Sequence, residues 1–421
     1  MLSVDSAPAP EAAVNDQQLP DLRKLTVSEP TPVTVETIPA ISGEPPAPTA
    51  APIATAHVHP DGPKVSAPFQ FGSRLLLSED EVFTFNAWDH VETDPAYKAY
   101  SAAQYASQRS KPVSASDKKR FMSDPAKWWD LFYKNNKENF FKDRKWLQQE
   151  FPILAEATRE GAGDVVMVEL GCGAGNTLFP VLKQNVNEGF RIVGCDFSAK
   201  AVEVVRAQPL YKEHVERGRV RAEVYDLSEP DTLPVGVEEG TVDVVIMVFV
   251  FSALAPEQWS AALGNVRRML KKGGKVLFRD YGRGDLAQVR FKAGRYLDEN
   301  FYVRGDGTRV YFFEQWELRK IFTGEAGETE EVNYKTENGE IKEREKKPVV
   351  EEQVPQEEEE TQEEPITTVE KTKEEQQQTF PEGDFGGFVA REMGVDRRLL
   401  VNRKRQLKMY RCWMQAVFEK L

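Results

Sequence analysis

Asp164-Val-Val-Met-Val-Glu-Leu-Gly-Cys-Gly-Ala-Gly-Asn176 is an apolar run that ends in three glycines at alternate positions. The run Val165–Leu170 is too short for a globular helix and rich in β-branched residues, so it predicts a buried strand that enters a tight turn. Gly171, Gly173 and Gly175 allow such a turn and let a ligand approach the backbone closely. A helix that begins after them would direct its free N–H groups to the same place. The stretch therefore predicts a nucleotide-cofactor site.

The spacing of the glycines separates two kinds of cofactor. The dinucleotide fingerprint G-x-G-x-x-G requires its third glycine at position 176, where this chain has Asn176. The pattern here is G-x-G-x-G preceded by Glu169, which resembles the first motif of class I S-adenosylmethionine-dependent methyltransferases. Three glycines alone would also fit an ordinary strand-to-helix turn, so the argument depends on residues at the ends of neighbouring strands.

Two later apolar segments end in carboxylates. Arg191–Asp196 predicts a second strand, and an acid at its end commonly binds ribose hydroxyls, although Asp196 could instead cap the following helix. Val220–Asp226 predicts a third strand. Asp226 and Leu227 stand where this fold holds an adenine ring. The carboxylates strengthen the prediction of a cofactor site.

The rest of the body alternates strands and helices. Val242–Val250 is almost continuously apolar, as in a strand covered on both faces. Pro256–Leu270 predicts an amphipathic helix, and Lys275–Phe278 predicts a fifth strand. This alternation indicates an α/β fold of the Rossmann-like, doubly wound kind, with a mostly parallel seven-stranded sheet. Ligands bind beyond the carboxyl ends of such strands, and residues at those ends are Gly171, Asp196, Asp226, Val248 and Asp280.

Two segments have compositions that do not support a packed core. Residues 1–68 are rich in Ala, Pro and Thr and carry a net charge of −5, and residues 323–384 carry −14. Neither can bury enough apolar surface to offset its ordering entropy, so we expect a disordered leader and a disordered acidic insertion. The remaining chain has a charge of +6 of the total of −13. A mildly basic folded part suits a phosphate-bearing partner.

These boundaries define three ordered parts: an N-terminal extension at 69–160, a core at 161–322 and C-terminal strands at 385–421. In the extension, Trp128–Lys134 has a helical aromatic face that would pack on the core. Asn139–Trp146 interleaves three aromatic with three basic residues. That pattern suits bases and phosphates, and its composition leaves core packing and nucleic-acid contact both open.

The segments after the fifth strand predict three features. Asn300–Phe313 is typical of a hairpin with Gly305-Asp-Gly307 at its turn, and Glu314–Phe322 predicts a helix. Met409–Phe418 predicts a final strand. Six basic residues between Arg397 and Lys408 favour phosphate contact, although they could form a solvated face.

The cysteines and the hydropathy of the chain indicate the cellular compartment in which we expect the protein. The three cysteines, Cys172, Cys195 and Cys412, show no zinc-binding spacing, so we expect a reducing compartment and no structural metal. No apolar run is long enough to cross a bilayer, and the N-terminus lacks a secretory apolar core. The expected location is the cytoplasm, with no membrane partner.

With these residues in view, the chain resembles the eukaryotic tRNA N3-methylcytidine methyltransferases, and most closely the branch that modifies threonine tRNA. The resemblance covers about residues 71–322 and 388–420. Its most specific pieces are Phe71-Gly-Ser-Arg74, Asn86-Ala-Trp-Asp89, Trp129-Asp-Leu-Phe-Tyr133, Asn139-Phe-Phe-Lys-Asp-Arg144, Glu169-Leu-Gly-Cys-Gly-Ala-Gly-Asn176, Arg279-Asp-Tyr-Gly282, Phe301-Tyr-Val-Arg-Gly-Asp-Gly-Thr-Arg-Val-Tyr-Phe-Phe313 and Asp396-Arg-Arg-Leu399.

The resemblance implies methyl transfer from S-adenosylmethionine to N3 of cytidine 32 in the anticodon loop of threonine tRNAs, with serine or arginine tRNAs as further substrates. An aminoacyl-tRNA synthetase or an adaptor protein would be a partner. The residues expected to contact the cofactor are Trp129, Tyr133, Gly171, Gly173, Gly175, Asp196, Phe197, Asp226, Leu227 and Val248. Those expected to hold the target nucleotide are Phe140, Arg144, Asp280, Tyr281 and Arg411, and the first four of these are the expected catalytic residues. Those further expected to contact the tRNA are Lys142, Arg279, Arg304, Arg397, Arg398 and Arg403.

Two other classes of function stay open at this point. A methyltransferase acting on protein or on a small molecule would share the cofactor site but would not need the basic, aromatic segment Asn139–Trp146. A non-catalytic tRNA-binding scaffold would not need the glycine loop or its carboxylates. Fold alone does not decide between them.

Overall fold

The computed structural model describes residues 74–325, apart from 77, 79, 80, 139 and 145, and residues 380–421. The predicted leader and most of the predicted acidic insertion lie outside the described residues. The described residues belong to one compact unit, Pro68–Leu421.

The described chain forms strands and helices that alternate through its central part. Its strands are β1 (Ala87–Asp89), β2 (Val165–Leu170), β3 (Phe190–Asp196), β4 (Val220–Val224), β5 (Val242–Val248), β6 (Leu270–Tyr281), β7 (Tyr296–Asp298), β8 (Phe301–Val303), β9 (Arg309–Tyr311), β10 (Phe388–Asn402) and β11 (Leu407–Lys420). Its helices are α1 (Pro95–Arg109), α2 (Ala115–Ser123), α3 (Pro125–Asn136), α4 (Leu147–Glu150), α5 (Ile153–Thr158), α6 (Leu178–Gln184), α7 (Ala199–Ala207), α8 (Pro209–Val215), α9 (Trp259–Met269), α10 (Leu286–Val289) and α11 (Gln315–Thr323).

The central sheet has the strand order β1-β10-β11-β6-β5-β2-β3-β4. Strands β4, β3, β2, β5 and β6 are parallel, and β11, β10 and β1 add to them in antiparallel fashion. This confirms the predicted doubly wound, mostly parallel architecture. The order reverses at β2, so the carboxyl ends of β2, β3 and β5 meet at one crevice.

Within the described residues the central sheet has eight strands, one more than predicted, because β1 adds a strand at its edge. Trp88 of β1 is buried opposite Leu399, and its indole N–H donates to the carbonyl oxygen of Val82 (2.7 Å). The neighbouring Asp89 is buried and accepts from Nε of Arg398 (2.7 Å). A strand of three residues is too short to show an alternating pattern, so its neighbours in the fold define it.

Strand β6 begins five residues earlier than the predicted Lys275. Leu270 pairs with Val242 and Lys275 pairs with Val244, so residues 271–274 form an irregularity in the register between β6 and β5. Helix α9 ends at Met269, directly before this strand. A separate antiparallel sheet, β7-β8-β9, contains the predicted hairpin, which is confirmed, as is the helix that follows it.

The hairpin β10-β11 covers the β6 side of the sheet and contributes to its core. Phe418 of β11 is fully buried and stacks on Phe322 of α11, with ring centroids 4.0 Å apart and planes 2° from parallel. The ring of Phe278 meets that of Phe418 edge to face at 6.3 Å. Residues near the C-terminus therefore stabilise the strand that ends beside the cofactor crevice.

We expect Phe418→Ala to lower the free energy of unfolding by about 3–5 kcal/mol, because it opens a cavity inside an aromatic cluster. Urea unfolding followed by circular dichroism measures this change. Leu407→Ala is the matched control on the same strand, since Leu407 is 47% exposed, and it should shift stability by less than about 0.5 kcal/mol. Equal effects of the two substitutions would show that the hairpin does not pack as described.

Candidate active site

The three glycines that follow β2 adopt a turn that only glycine accommodates easily. Gly171, Gly173 and Gly175 have φ values of +63°, +54° and +86°. A Cβ atom at Gly173 would lie 2.4 Å from the hydroxyl oxygen of Tyr133, and one at Gly171 would lie 2.4 Å from Cγ2 of Val250. Glycine is therefore required both by the backbone and by the close approach of side chains.

Helix α3 places two aromatic side chains over this loop. Oδ1 of Asp130 accepts from Oγ of Ser198 (2.7 Å) and from the backbone N–H of Lys200 (3.2 Å). The carboxylate thus binds the N-terminal end of α7, where helix N–H groups favour an anion. As a result Trp129 and Tyr133 line the crevice, with ring centroids 6.0 Å apart and planes 27° from parallel.

The carboxylates of β3 and β4 flank the glycine loop. Asp196 accepts from the backbone N–H of Gly173 (2.9 Å) and of Ser198 (2.9 Å). Burial raises the pKa of Asp196 to about 6, and these hydrogen bonds oppose that rise. Asp226 is exposed, and its Oδ1 accepts from the backbone N–H (2.8 Å) and the hydroxyl (2.7 Å) of Ser228.

These groups line one cavity of about 470 Å³. Its walls combine a glycine cradle, two strand-end carboxylates and aromatic rings, which fit the ribose, adenine and methionine parts of S-adenosylmethionine. Among the residues expected to contact the cofactor, those that line the cavity are Trp129, Tyr133, Gly171, Gly173, Asp196, Phe197, Asp226, Leu227 and Val248. Gly175 lies just outside it, and a Cβ atom there would meet the ring of Phe179 at 2.4 Å.

Arg144 connects the N-terminal extension to the glycine loop. Its backbone N–H donates to the carbonyl oxygen of Asn176 (2.8 Å), and its Nη1 donates to Oγ1 of Thr177 (2.9 Å). Nη1 also lies 3.9 Å from Oε1 of Glu169, which is buried at the end of β2. Burial raises the pKa of Glu169 to about 7, and the charge of Arg144 opposes this rise.

Asp280 lies behind the cavity wall. It is fully buried, and its oxygens accept from the backbone N–H groups of Ser252 (2.9 Å) and Tyr281 (2.8 Å). Burial raises its pKa to about 6. Ser252 and Tyr281 themselves line the cavity, so Asp280 fixes two parts of its wall.

Phe140 lies at the opening of the cavity with 58% of its surface exposed. It meets the rings of Phe132 and Phe141 edge to face, at centroid distances of 4.9 and 4.8 Å. The two partners hold one edge of the ring while most of its surface stays accessible. The exposed part of the ring is available to a planar ligand.

Three of the predicted tRNA-contacting residues line the cavity: Lys142, Arg304 and Arg411. Nη1 of Arg304 donates to the carbonyl oxygen of Arg309 (3.0 Å). Nε of Arg411 donates to the buried carboxylate of Asp285 (2.8 Å), and its guanidinium lies 4.7 Å from the ring centre of Trp413. Two of these cations, Arg304 and Arg411, are therefore held in fixed positions in the cavity wall.

Four other residues predicted to contact tRNA lie outside the cavity. Arg279 is 2% exposed, forms an ion pair with Asp396 and lies between the rings of Trp146 and Trp413, 5.0 Å from each. Arg398 binds Asp89, Arg397 is buried at 9% exposure, and Arg403 is exposed in the β10-β11 turn. The expectation of tRNA contact is revised for Arg279 and Arg397, because they are buried, and for Arg398, because its guanidinium is paired with the buried Asp89.

Several residues that line the cavity are not predicted as site residues from the sequence, chiefly Phe249, Asp306, Thr308 and Trp413. Trp413 stands two positions after Arg411 on β11, so strand alternation could have placed both on one face. Phe249 continues the apolar run of β5, and no sequence signal marks its φ of +59°. Asp306 and Thr308 belong to the β8-β9 turn, whose approach to the crevice is a tertiary feature.

The fold and the site together define a class I, S-adenosylmethionine-dependent methyltransferase. Residues 168–276 match the family model described as "Methyltransferase domain". The chain is 46% identical over 353 residues to the tRNA(Thr) (cytosine(32)-N(3))-methyltransferase of Saccharomyces cerevisiae, a match that covers 84% of this chain and 46% of that protein. The chain therefore spans about half the length of that relative.

Two further relatives are matched over most of their length. The tRNA N(3)-methylcytidine methyltransferase trm140 of Schizosaccharomyces pombe is 39% identical, with 83% of this chain and 92% of that protein covered. The tRNA N(3)-methylcytidine methyltransferase Mettl2 of Drosophila melanogaster is 38% identical, with 83% and 88% covered. This protein belongs to the tRNA N3-methylcytidine methyltransferase family.

The part of the chain that the structure describes has neither a metal-binding cluster nor a bilayer-spanning helix. Residues 74–325 and 380–421, where described, contain no group of three or more His, Cys, Asp or Glu side chains placed to hold a metal ion. No helix in the same part of the chain combines the length and apolarity needed to span a bilayer.

We expect Gly173→Ala to weaken S-adenosylmethionine binding at least about tenfold, because its Cβ would displace Tyr133 from the cavity wall. Isothermal titration calorimetry measures the dissociation constant. Gly161→Ala is the matched control, since Gly161 also has a positive φ (+74°) but has nothing within 4 Å of its added Cβ. Equal losses of affinity in both variants would trace the effect to backbone strain alone.

Proposed function

We propose that this protein transfers a methyl group from S-adenosylmethionine to N3 of cytidine at position 32 of the anticodon loop of threonine tRNA, with serine and arginine tRNAs as further candidate substrates. The observation that carries the proposal is a single cavity with two kinds of wall. One wall is the glycine cradle with its carboxylates. The other combines arginines with accessible aromatic rings, as a flipped nucleotide requires.

The surface around the cavity supports an RNA substrate. The last pair between β11 and β6 joins Trp413 to Tyr281, so residues 407–412 of β11 extend past the carboxyl end of β6. The turn before β11 carries Arg403, Lys404 and Arg405, all exposed. Basic side chains therefore lie both in the cavity and in the turn at this end of the sheet, where they would bind the phosphates of the anticodon stem-loop.

The proposed chemistry is a direct displacement. When bound, S-adenosylmethionine supplies a methyl group on a sulfonium centre and leaves as S-adenosylhomocysteine. The lone pair on N3 of neutral cytosine is available for attack, so no general base is needed before it. The protein then contributes alignment and electrostatic stabilisation.

Each residue near the second wall has a role in this scheme. Phe140 would stack on the base after it leaves the anticodon loop, and Tyr281 would pack on its edge. Arg144 and Arg411 would bind the base O2 or the adjoining phosphate. The methylated ring is cationic, and the carboxylate of Asp280 would stabilise that charge through the wall it supports.

We further propose that the protein acts in the cytoplasm and that a synthetase or adaptor protein assists substrate selection. The names of the relatives support tRNA as the substrate. Co-purification with labelled tRNA and its associated proteins would identify such a partner.

The proposal is tested by incubating the protein with labelled S-adenosylmethionine and tRNA that lacks this modification, followed by nucleoside analysis. We expect labelled 3-methylcytidine in threonine tRNA, and none when cytidine 32 is replaced by uridine. Label in another nucleoside, or in protein, would contradict the proposal.

The pKa of Asp280 gives a pH prediction. Because burial raises this pKa to about 6, Asp280 is ionised at pH 7.5 and gains a proton as the pH falls through 6. If the ionised carboxylate stabilises the cationic product, single-turnover methylation by wild type should fall about tenfold per pH unit below 6. Asp280→Asn should be about 10–100-fold slower at pH 7.5, and its rate should fall less steeply than that of wild type below pH 6. Identical profiles for both proteins would leave Asp280 with only a structural function.

A further inference from the structure

Phe249 is an aromatic residue in a left-handed backbone conformation at the carboxyl end of β5. Its φ of +59° is rare for a bulky side chain and persists only where the surrounding structure enforces it. Its backbone N–H donates to the carbonyl oxygen of Arg279 (2.8 Å), and the next residue, Val250, packs against Gly171. The kink is therefore held from β6 on one side and from the glycine loop on the other.

The kink changes which side chains reach the cavity. In a regular strand, successive side chains point to opposite faces. Here Val248, Phe249 and Val250 all line the same cavity. The left-handed turn at Phe249 thus brings into the cavity a ring that strand alternation would direct away from it.

The ring of Phe249 lies beside two residues that the proposed scheme places at the target base, Tyr281 and Arg144. Its centroid is 4.9 Å from that of Tyr281 and 5.7 Å from the guanidinium carbon of Arg144. Arg144 binds the residues after the glycine loop, and Tyr281 follows the buried Asp280. The ring is half-buried, so one face packs on these neighbours while part of it faces the cavity.

We propose that Phe249 is a substrate-positioning residue that contacts the target cytosine and fixes the direction of N3 towards the methyl group. This inference rests on the proposed function. A flat, apolar ring restrains the plane of the base and excludes water without competing for its hydrogen-bonding edge. The strained backbone fixes the position of the ring relative to the cofactor and the base. In-line attack requires such a fixed position, because N3 must approach the methyl group from the side opposite the sulfur.

The test separates the ring from the backbone. Phe249→Asn removes the ring but keeps a residue that tolerates positive φ, and Phe249→Tyr keeps the ring. We expect Phe249→Asn to have the melting temperature of wild type and a dissociation constant for S-adenosylmethionine within about threefold of wild type. Its kcat should fall about a hundredfold. Phe249→Tyr should retain kcat within about threefold, because the ring and its packing are preserved.

Asp231→Asn is the matched control, because Asp231 has the same φ of +59° but lies exposed in a loop outside the cavity. All of its parameters should equal those of wild type. A kcat for Phe249→Asn within threefold of wild type overturns the inference, as does a joint loss of cofactor binding and melting temperature. If wild type itself forms no 3-methylcytidine, the proposed function fails and the inference fails with it.

Discussion

The buried contact between Arg144 and Glu169 is the interaction on which the site depends. Glu169 is fully buried and the side chain of Arg144 is only 14% exposed, so a charge on either group is costly unless the other group and hydrogen bonds compensate it. The guanidinium comes from the N-terminal extension and the carboxylate from the end of β2. Moving the extension away would leave Glu169 buried without its counter-charge. The contact therefore ties the proposed nucleotide-binding segment to the cofactor loop.

The sheet topology explains why the remaining groups meet there. Parallel strands bring the ends of β2, β3 and β5 to one edge, where the glycine loop and Asp196 lie. The antiparallel hairpin β10-β11 enters from the opposite direction and supplies Arg411 and Trp413 to the same edge. One cavity thus receives its cofactor wall from the parallel half of the sheet and Arg411 from the antiparallel half, while its other cations come from the N-terminal extension and the β8-β9 turn.

The sequence was sufficient for the architecture and for the cofactor wall, since glycine spacing, strand-end acids and apolar runs are local signals. The features that the sequence did not show depend on contacts between residues that are far apart in the chain. Arg279 and Arg398 look like phosphate ligands until the carboxylates of Asp396 and Asp89 are placed beside them. The kink at Phe249 is invisible because contacts with β6 and the glycine loop enforce it, whereas its residue type favours a strand.

The most direct test of this account is a double-mutant cycle on Arg144→Met and Glu169→Gln, read out as the single-turnover rate of methylation of threonine tRNA. The account predicts that each single substitution slows the reaction and that the double variant is less impaired than the product of the two effects, with a coupling energy above about 1 kcal/mol. Strictly additive effects would contradict it, because the extension and the cofactor loop would then act independently.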